Sequence, residues 1–371
     1  MTLVSSGQIS AGVSSPANQS INTELGKAYN AQLSLNDTDA RALAGITGSG
    51  TQISYSSFYG KANRSAYYIT FTTHHSDATV SSADLTSGSY VGGKTDVYIT
   101  VNSGVYLWAS STSTVGLTIS GASTGDTVSL TNNGYIIGAG GNGAIGNDES
   151  ILPGGNGGTA LSINYNISIT NNGYIAGGGG GGSGHVIYDT YYCCGAGMTV
   201  IDFQSAGGGG GAGGGTGGLT ALHLEYPSTY AASYGYGGSG GAIGSAGANG
   251  GIGVYGGFFY LYGGGGGGRI VPGTGGTLHI SPYYSQGGGS GGSGGFRLNS
   301  SYNYWDPSGN GGSGNAAGSS GTAGGGGGWG AAGGAGISFP TDFGAGGKAI
   351  NLNGKTVTWV SGSIRAYGAV S

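Results

Sequence analysis

The sequence predicts a mainly β protein with much irregular structure: a small N-terminal segment with short helices, an antiparallel β-domain, and a polyglycine II helix sandwich with aromatic loops. Three observations carry this reading. Ser129-Leu-Thr-Asn-Asn-Gly-Tyr-Ile-Ile-Gly-Ala-Gly-Gly-Asn-Gly143 returns as Ser168-Ile-Thr-Asn-Asn-Gly-Tyr-Ile-Ala-Gly-Gly-Gly-Gly-Gly-Gly182, at an offset of 39 residues. Repetition of a strand, a turn and a glycine block together means stacked layers. Of the 93 glycines, 79 follow residue 130, so two compositions are joined end to end. Between them, apolar and polar residues alternate with the period of a strand.

In residues 1–65, Asn36 is placed to cap a short helix with Asp37 and Asp39 in its first turn and Gly45 as its stop, and Asn22-Thr-Glu-Leu25 before Gly26 reads as a shorter one. The stretch is too small to hold a core alone and is expected to dock onto a partner. In residues 66–121, Tyr67, Ile69 and Phe71 alternate with Tyr68, Thr70 and Thr72, and Val97, Ile99 and Val101 with Tyr98 and Thr100. Asn102-Ser-Gly104 turns the chain into Val105-Tyr-Leu-Trp108, which with Leu117-Thr-Ile119 and Val128-Ser-Leu130 suggests antiparallel pairing.

Residues 122–371 hold the glycine runs Gly177 to Gly182, Gly207 to Gly211, Gly263 to Gly268 and Gly324 to Gly328. Glycine beside serine ordinarily reads as a flexible linker. Disordered chains, however, are charged and poor in aromatics, whereas this one has 26 Tyr, 8 Phe and 4 Trp with 6% charged residues. There is no Gly-X-Y period to make collagen. An ordered alternative is the left-handed threefold helix, about 3.1 Å per residue, whose outward amides pair between neighbours that no Cβ holds apart. A second phrase, a glycine pair leading into a short strand, recurs at Gly157-Gly-Thr-Ala-Leu-Ser-Ile163, Gly217-Gly-Leu-Thr-Ala-Leu-His-Leu224 and Gly275-Gly-Thr-Leu-His-Ile280. The tyrosine-rich stretches between glycine blocks read as loops.

Net charge is −4, and positions 95 to 268 contain neither Lys nor Arg. Without a basic stripe, phosphates have no partner and nucleic-acid binding is excluded. No apolar stretch is long enough to span a bilayer, and Met1-Thr-Leu-Val-Ser-Ser-Gly7 lacks the features of a secretion signal. The expectation is synthesis in a cytoplasm and export within an assembly, without membrane insertion. Neither a metal nor another cofactor is expected: His74 and His75 point to opposite faces of a strand, and the glycine runs lack the lysine of a phosphate-binding loop. Cys193-Cys194 reads as two reduced thiols, with a strained vicinal disulfide as the alternative.

The Asn-Asn-Gly-Tyr-Ile phrase feeding glycine blocks, the aromatic stretches between such blocks, and the closing Thr358-Trp-Val-Ser-Gly-Ser-Ile-Arg-Ala-Tyr-Gly-Ala369 resemble the long-tail-fibre adhesins of T-even-like bacteriophages. Ser20-Ile-Asn-Thr-Glu-Leu-Gly26, Leu33-Ser-Leu-Asn-Asp37, Arg41-Ala-Leu-Ala-Gly45 and Phe58-Tyr-Gly-Lys61 are similar to an attachment module at the start of many phage virion proteins. The resemblance implies a virion location at the tail fibre or tail tip and a fibre or tail-tip partner for the N-terminus. It also implies a host outer-membrane protein or surface polysaccharide as receptor.

The receptor-binding candidates are Tyr188, Tyr191 and Tyr192; Tyr226, Tyr230 and Tyr234; Phe258, Phe259 and Tyr260; Tyr283 and Tyr284; and Tyr302, Tyr304 and Trp305. Tyrosine among serine, glycine and asparagine gives large amphipathic contact area at low entropic cost. The same rings would also seal a glycine slab from water, and Tyr135, Tyr174 and Trp329, nearest the glycine blocks, fit sealing better. Two other functions compete: a structural spacer or decoration of the virion, and a glycan depolymerase. The latter needs paired carboxylates, and only 14 acids are scattered along the chain. No enzymatic activity is expected.

Overall fold

The computed structural model describes all residues except 1–2, 13–18, 47, 49, 62, 86–89, 147–150, 194–197, 207–210, 212, 214, 216–221, 224–237, 242–246, 249–251, 256–258, 263–266, 268–296, 300–303, 307–320 and 337–340. Two compact units emerge from the packing, one of residues 1–69, 81–99 and 121–129, the other of 70–80, 100–120 and 130–371.

The first unit opens with helix α1, Ile21–Glu24, whose N-cap Ser20 accepts the Thr23 amide at 3.2 Å. Helix α2, Thr38–Ala44, begins after Asp37, one residue later than expected, and ends on Gly45 in the left-handed region. Contrary to the expectation from size, the segment buries its own cluster of Leu3, Ile21, Ala40, Leu43, Ala44 and Phe58, with Leu25, Leu33 and Ile53 against it. The buried Glu24 accepts the Asn63 amide at 2.8 Å. Arg64 pairs with Asp96 at 2.5 Å and donates to the carbonyls of Thr95 and Gly125.

The β-structure is a stack of turns. The chain runs through β1 (Ser65–Phe71), β2 (His75–Ser76) and β3 (Ala78–Val80), then β4 (Thr95–Val101), β5 (Tyr106–Trp108) and β6 (Val115–Ile119). It continues through β7 (Thr127–Asn132) and β8 (Tyr135–Ile137), a short antiparallel excursion of β9 (Ile145–Gly146) and β10 (Ile151–Leu152), and β11 (Thr159–Ile163). β12 (Ile167–Asn171) and β13 (Tyr174–Ala176) follow. The three main sheets have the orders β1-β4-β7-β12-β23, β2-β5-β8-β13-β24 and β3-β6-β11-β22, where β22 is Ile350–Asn351, β23 Val357–Ser361 and β24 Ala366–Tyr367. Each turn of chain thus adds one strand to each sheet, which is a β-solenoid. The 39-residue repeat is one such step: Tyr174, Ile175 and Ala176 pair in register with Tyr135, Ile136 and Ile137.

The antiparallel expectation for residues 66–121 is therefore corrected. β3 and β6, β5 and β8, β6 and β11, β8 and β13, β12 and β23 all pair in parallel. Alternation fixes which face of a strand is apolar but not the direction of its partner. Asn102-Ser-Gly104 is a corner between sheets rather than a hairpin turn, because the Asn102 amide goes to Phe71 O and the Val105 amide to Asn102 O. Inside, Ala78, Leu117, Leu161 and Ile350 align across one sheet and Leu107, Ile136 and Ile175 across another, all buried.

The chain leaves the stack after β13 and rejoins it at β22. Between them lie β14 (His185–Cys193), β15 (Met198–Ala206), β16 (Leu222–His223), β17 (Ile252–Tyr255), β18 (Phe259–Tyr262), β19 (Arg297–Asn299), β20 (Tyr304–Asp306) and β21 (Gly321–Thr322). Among the described residues no helix is long and apolar enough to cross a membrane.

Candidate functional site

The two Asn-Asn-Gly corners stand between β7 and β8 and between β12 and β13, just before the strands after which the glycine tracts begin. Buried Asn132 donates from Nδ2 to Asn171 Oδ1 at 2.8 Å and to Tyr174 O at 3.1 Å, while its Oδ1 accepts the Gly134 amide at 3.1 Å. Asn171 repeats the device one turn on, donating to the carbonyls of Gly362 and Arg365. A Cβ at Gly134 would overlap the carbonyl oxygen of Val105, and one at Gly173 that of Gly134, so only glycine follows the asparagines.

Beyond each corner stands a ring. Tyr106 and Tyr135 stack at 4.4 Å, Tyr135 and Tyr174 at 5.4 Å, and Tyr174 and Tyr367 at 6.2 Å. The Arg365 guanidinium lies 5.8 Å from the Tyr174 centroid. Trp329, 2% exposed, packs with Ile137 and Ala176 and tilts against Tyr174 and Tyr367. These rings seal the root of the excursion, as expected for Tyr135, Tyr174 and Trp329. The complete ladder was missed in the sequence. Its signal was a tyrosine in the strand after each corner, at 106, 135, 174 and 367.

From that root the backbone bonds change period. Gly138, Gly141 and Ala144 donate to Ala176, Gly179 and Gly182, and Gly177, Gly180 and Ser183 to Tyr367, Ala331 and Gly334. Running the opposite way, Gly178 and Gly181 donate to Gly158 and Gly155, Gly324, Gly327 and Gly330 to Ser183, Gly180 and Gly177, and Gly344 and Gly347 to Gly181 and Gly178. These bonds are 2.7 to 3.0 Å long and recur at every third residue, so tract 177–183 is bonded on several sides at once. A β-ladder, whose side chains alternate on two faces, offers two edges only. All six glycines 177–182 are buried. A Cβ on Gly178 would overlap Ala139 O, on Gly180 Gly344 O, on Gly181 Asn142 O and on Gly182 Gly324 O.

Three of the aromatic stretches expected as loops contain strands, while those at 225–236 and 281–286 lie outside the described residues. β14 and β15 form a nine-pair antiparallel hairpin from His185↔Ala206 to Cys193↔Met198, with Tyr188 opposite Phe203, Tyr191 opposite Val200 and Tyr192 opposite Thr199. β17 pairs with β18, placing Phe259 opposite Tyr255 and Tyr260 opposite Val254. β19 pairs with β20, placing Tyr304 opposite Asn299 and Trp305 opposite Leu298. These seven positions thus fall in three separate hairpins. Tyr226, Tyr230, Tyr234, Phe258, Tyr283, Tyr284 and Tyr302 lie outside the described residues, as does Cys194. In these three stretches loop was the wrong expectation, because glycine on both sides hid strands rich in tyrosine, a residue favoured in sheets.

His74 Nδ1 accepts the Tyr106 amide at 3.1 Å, and His75 Nε2 lies 3.0 Å from Thr73 Oγ1. Among the described residues no three of His, Cys, Asp and Glu gather where an ion could be held.

The architecture defined here is a parallel β-solenoid with a large, glycine-bonded, hairpin-bearing excursion. Residues 66–258, more than half of the chain, match the family described as phage tail fibre adhesin Gp38, and the chain belongs to that family. No curated protein matches. A solved structure similar to it is the gp37-gp38 adhesin tip complex of the bacteriophage S16 long tail fiber, at 18% identity and a TM-score of 0.44, covering 97% of this chain and 100% of the other.

Proposed function

We propose that this tail fibre adhesin is the receptor-binding protein of its virion, holding aromatic hairpins out from a rigid glycine base to contact a host surface molecule. The observation that carries the reading is the three-residue period of the backbone bonds around tract 177–183, from which β14 leaves at His185. That period is the repeat of the polyglycine II helix, and a bundle of such helices is a stiff support whose connections are free to vary. Hairpins carrying Tyr188, Tyr191 and Tyr192, Phe259 and Tyr260, and Tyr304 and Trp305 supply contact area of the kind antibody loops use. The N-terminal segment anchors the chain to a fibre or tail-tip protein, and the receptor is an outer-membrane protein or a surface polysaccharide. The protein acts by binding, without chemistry.

His185 and Ala206 are paired neighbours, so residues 186–205 can be excised and the ends joined by two glycines. Phage carrying this deletion should assemble with normal fibres and lose adsorption to the host. If removal of this hairpin, of 253–261 and of 298–305 each left adsorption unchanged, the reading would be wrong.

A further inference from the structure

A cavity of about 640 Å³ opens where the second turn of the solenoid passes directly from β5 to β6 and the third sends out its glycine tract. Trp108, the last residue of β5, and Trp329 contribute to its walls, with Ile137 and the backbone of Gly138, Ala139 and Gly140 between them. Its volume is that of a small-molecule site, and its lining has the usual make-up of one: apolar surface with a few placed polar groups. Ser110, Ser111 and Thr112 are exposed at the mouth. That rim is fixed: Asp77 accepts from the Ser110 amide at 2.8 Å and from its hydroxyl at 2.5 Å, and the Ser111 amide donates to Thr114 Oγ1 at 3.1 Å. No ionisable side chain is among the described lining residues.

The half-buried Trp108 indole, a hydroxyl rim and an uncharged lining together select a neutral ligand with apolar faces and polar edges, while Trp329, packed among the tyrosines, backs the wall without offering an open face. A pyranose has that character. Its C–H face stacks on an indole while its hydroxyls hydrogen-bond around the ring edge. We infer that this cavity binds a neutral sugar residue of a surface glycan, as a site separate from the aromatic hairpins. It binds without cleaving, since glycoside hydrolysis needs two carboxylates flanking the bond and no described lining residue carries one.

The test is titration of the purified full chain with methyl glucoside, methyl galactoside, methyl mannoside and, separately, N-acetyl-tyrosinamide, followed by tryptophan fluorescence and ligand-observed NMR. At least one glycoside should saturate, with weak affinity. Trp108→Ala should weaken it about tenfold or more, the scale of a lost anchor. Thr112→Arg, which obstructs the mouth from an exposed position, should do the same without touching the core. Tyr68→Ala, on an exposed strand position elsewhere, should leave binding intact. Saturation by no glycoside, saturation by N-acetyl-tyrosinamide alone, or undiminished binding by both cavity variants would overturn the inference. Because no phage is involved, these outcomes are independent of the hairpin deletions.

Discussion

Strand β12 and the tract 177–182 are separated by β13 alone, yet they solve the same problem in opposite ways. In β12 burial alternates, with Ile167, Ile169 and Asn171 inside and Ser168 and Thr170 half-exposed. In the tract every residue is buried. The strand excludes water with side chains and pairs its backbone in the sheet plane. The tract excludes water with other backbones, and its bonds leave on several sides, recurring at every third residue. Glycine is destabilising in an ordinary strand because of the freedom it loses. Here it is required, because the neighbouring carbonyls stand where any Cβ would go.

The largest expected effect comes from pressing on that difference at one contact. Gly155 and Gly181 both face Asn142. A Cβ on Gly155 meets the Asn142 amide nitrogen at 3.1 Å, which a small shift relieves, whereas a Cβ on Gly181 falls on the Asn142 carbonyl itself. Gly181→Ala should therefore cost about 3 kcal/mol or more, and Gly155→Ala about 1 kcal/mol or less, by denaturant unfolding of the purified chain. Equal losses at the two sites would mean that the tract is not held by backbone packing.

The repeat made the stacking legible. Its 39-residue offset is the step from β7 and β8 to β12 and β13, and Asn132 and Asn171 occupy equivalent corners. The parallel direction was not legible, because period two is the same in both pairings and a three-residue corner such as Asn102-Ser-Gly104 has the composition of a hairpin turn. Closure of the solenoid by Ile350–Tyr367 was hidden too. Those strands lie more than 170 residues from β13, and only the tyrosine at 367, stacked on Tyr174, marks their place. The two tryptophans of the cavity carry no local pattern at all, since they are brought together by the excursion.

A second experiment sharpens the comparison on the solenoid side. Asn132 and Asn133 are neighbours in the repeated phrase, and each bonds to its counterpart in the next turn, at 2.8 and 2.9 Å. Only the first pair is buried. Asn132→Ala takes the partner from the Gly134 amide and from Asn171 Oδ1, both away from water, so it should cost about 2 to 3 kcal/mol. Asn133→Ala removes a solvated bond and should stay within about 0.5 kcal/mol. Similar losses from both would move the origin of register from the buried ladder to the turn itself.

The smallest effect concerns the corner where the two designs meet. The third turn leaves β8 as a glycine tract bonded through uncharged backbone. The second crosses from β5 to β6 on a side-chain brace, Asp77, which stands at a φ of 50° and accepts from Ser110. Hydrogen bonds from the Ser110 hydroxyl, the Thr114 side chain and the Ser110 amide hold its carboxyl below the usual value of 3.8. A carboxylate depressed in the folded state stabilises fully above its unfolded pKa, and that contribution is lost as the pH falls through the folded one. The stability gap between the parent and Asp77→Asn should be constant near neutrality and shrink below about pH 4. Asp77 is exposed, so solvent screening keeps the gap small. A gap that stays constant into acid would show that the brace works through its backbone conformation rather than its charge, and would leave the solenoid corner as insensitive to pH as the glycine tract beside it.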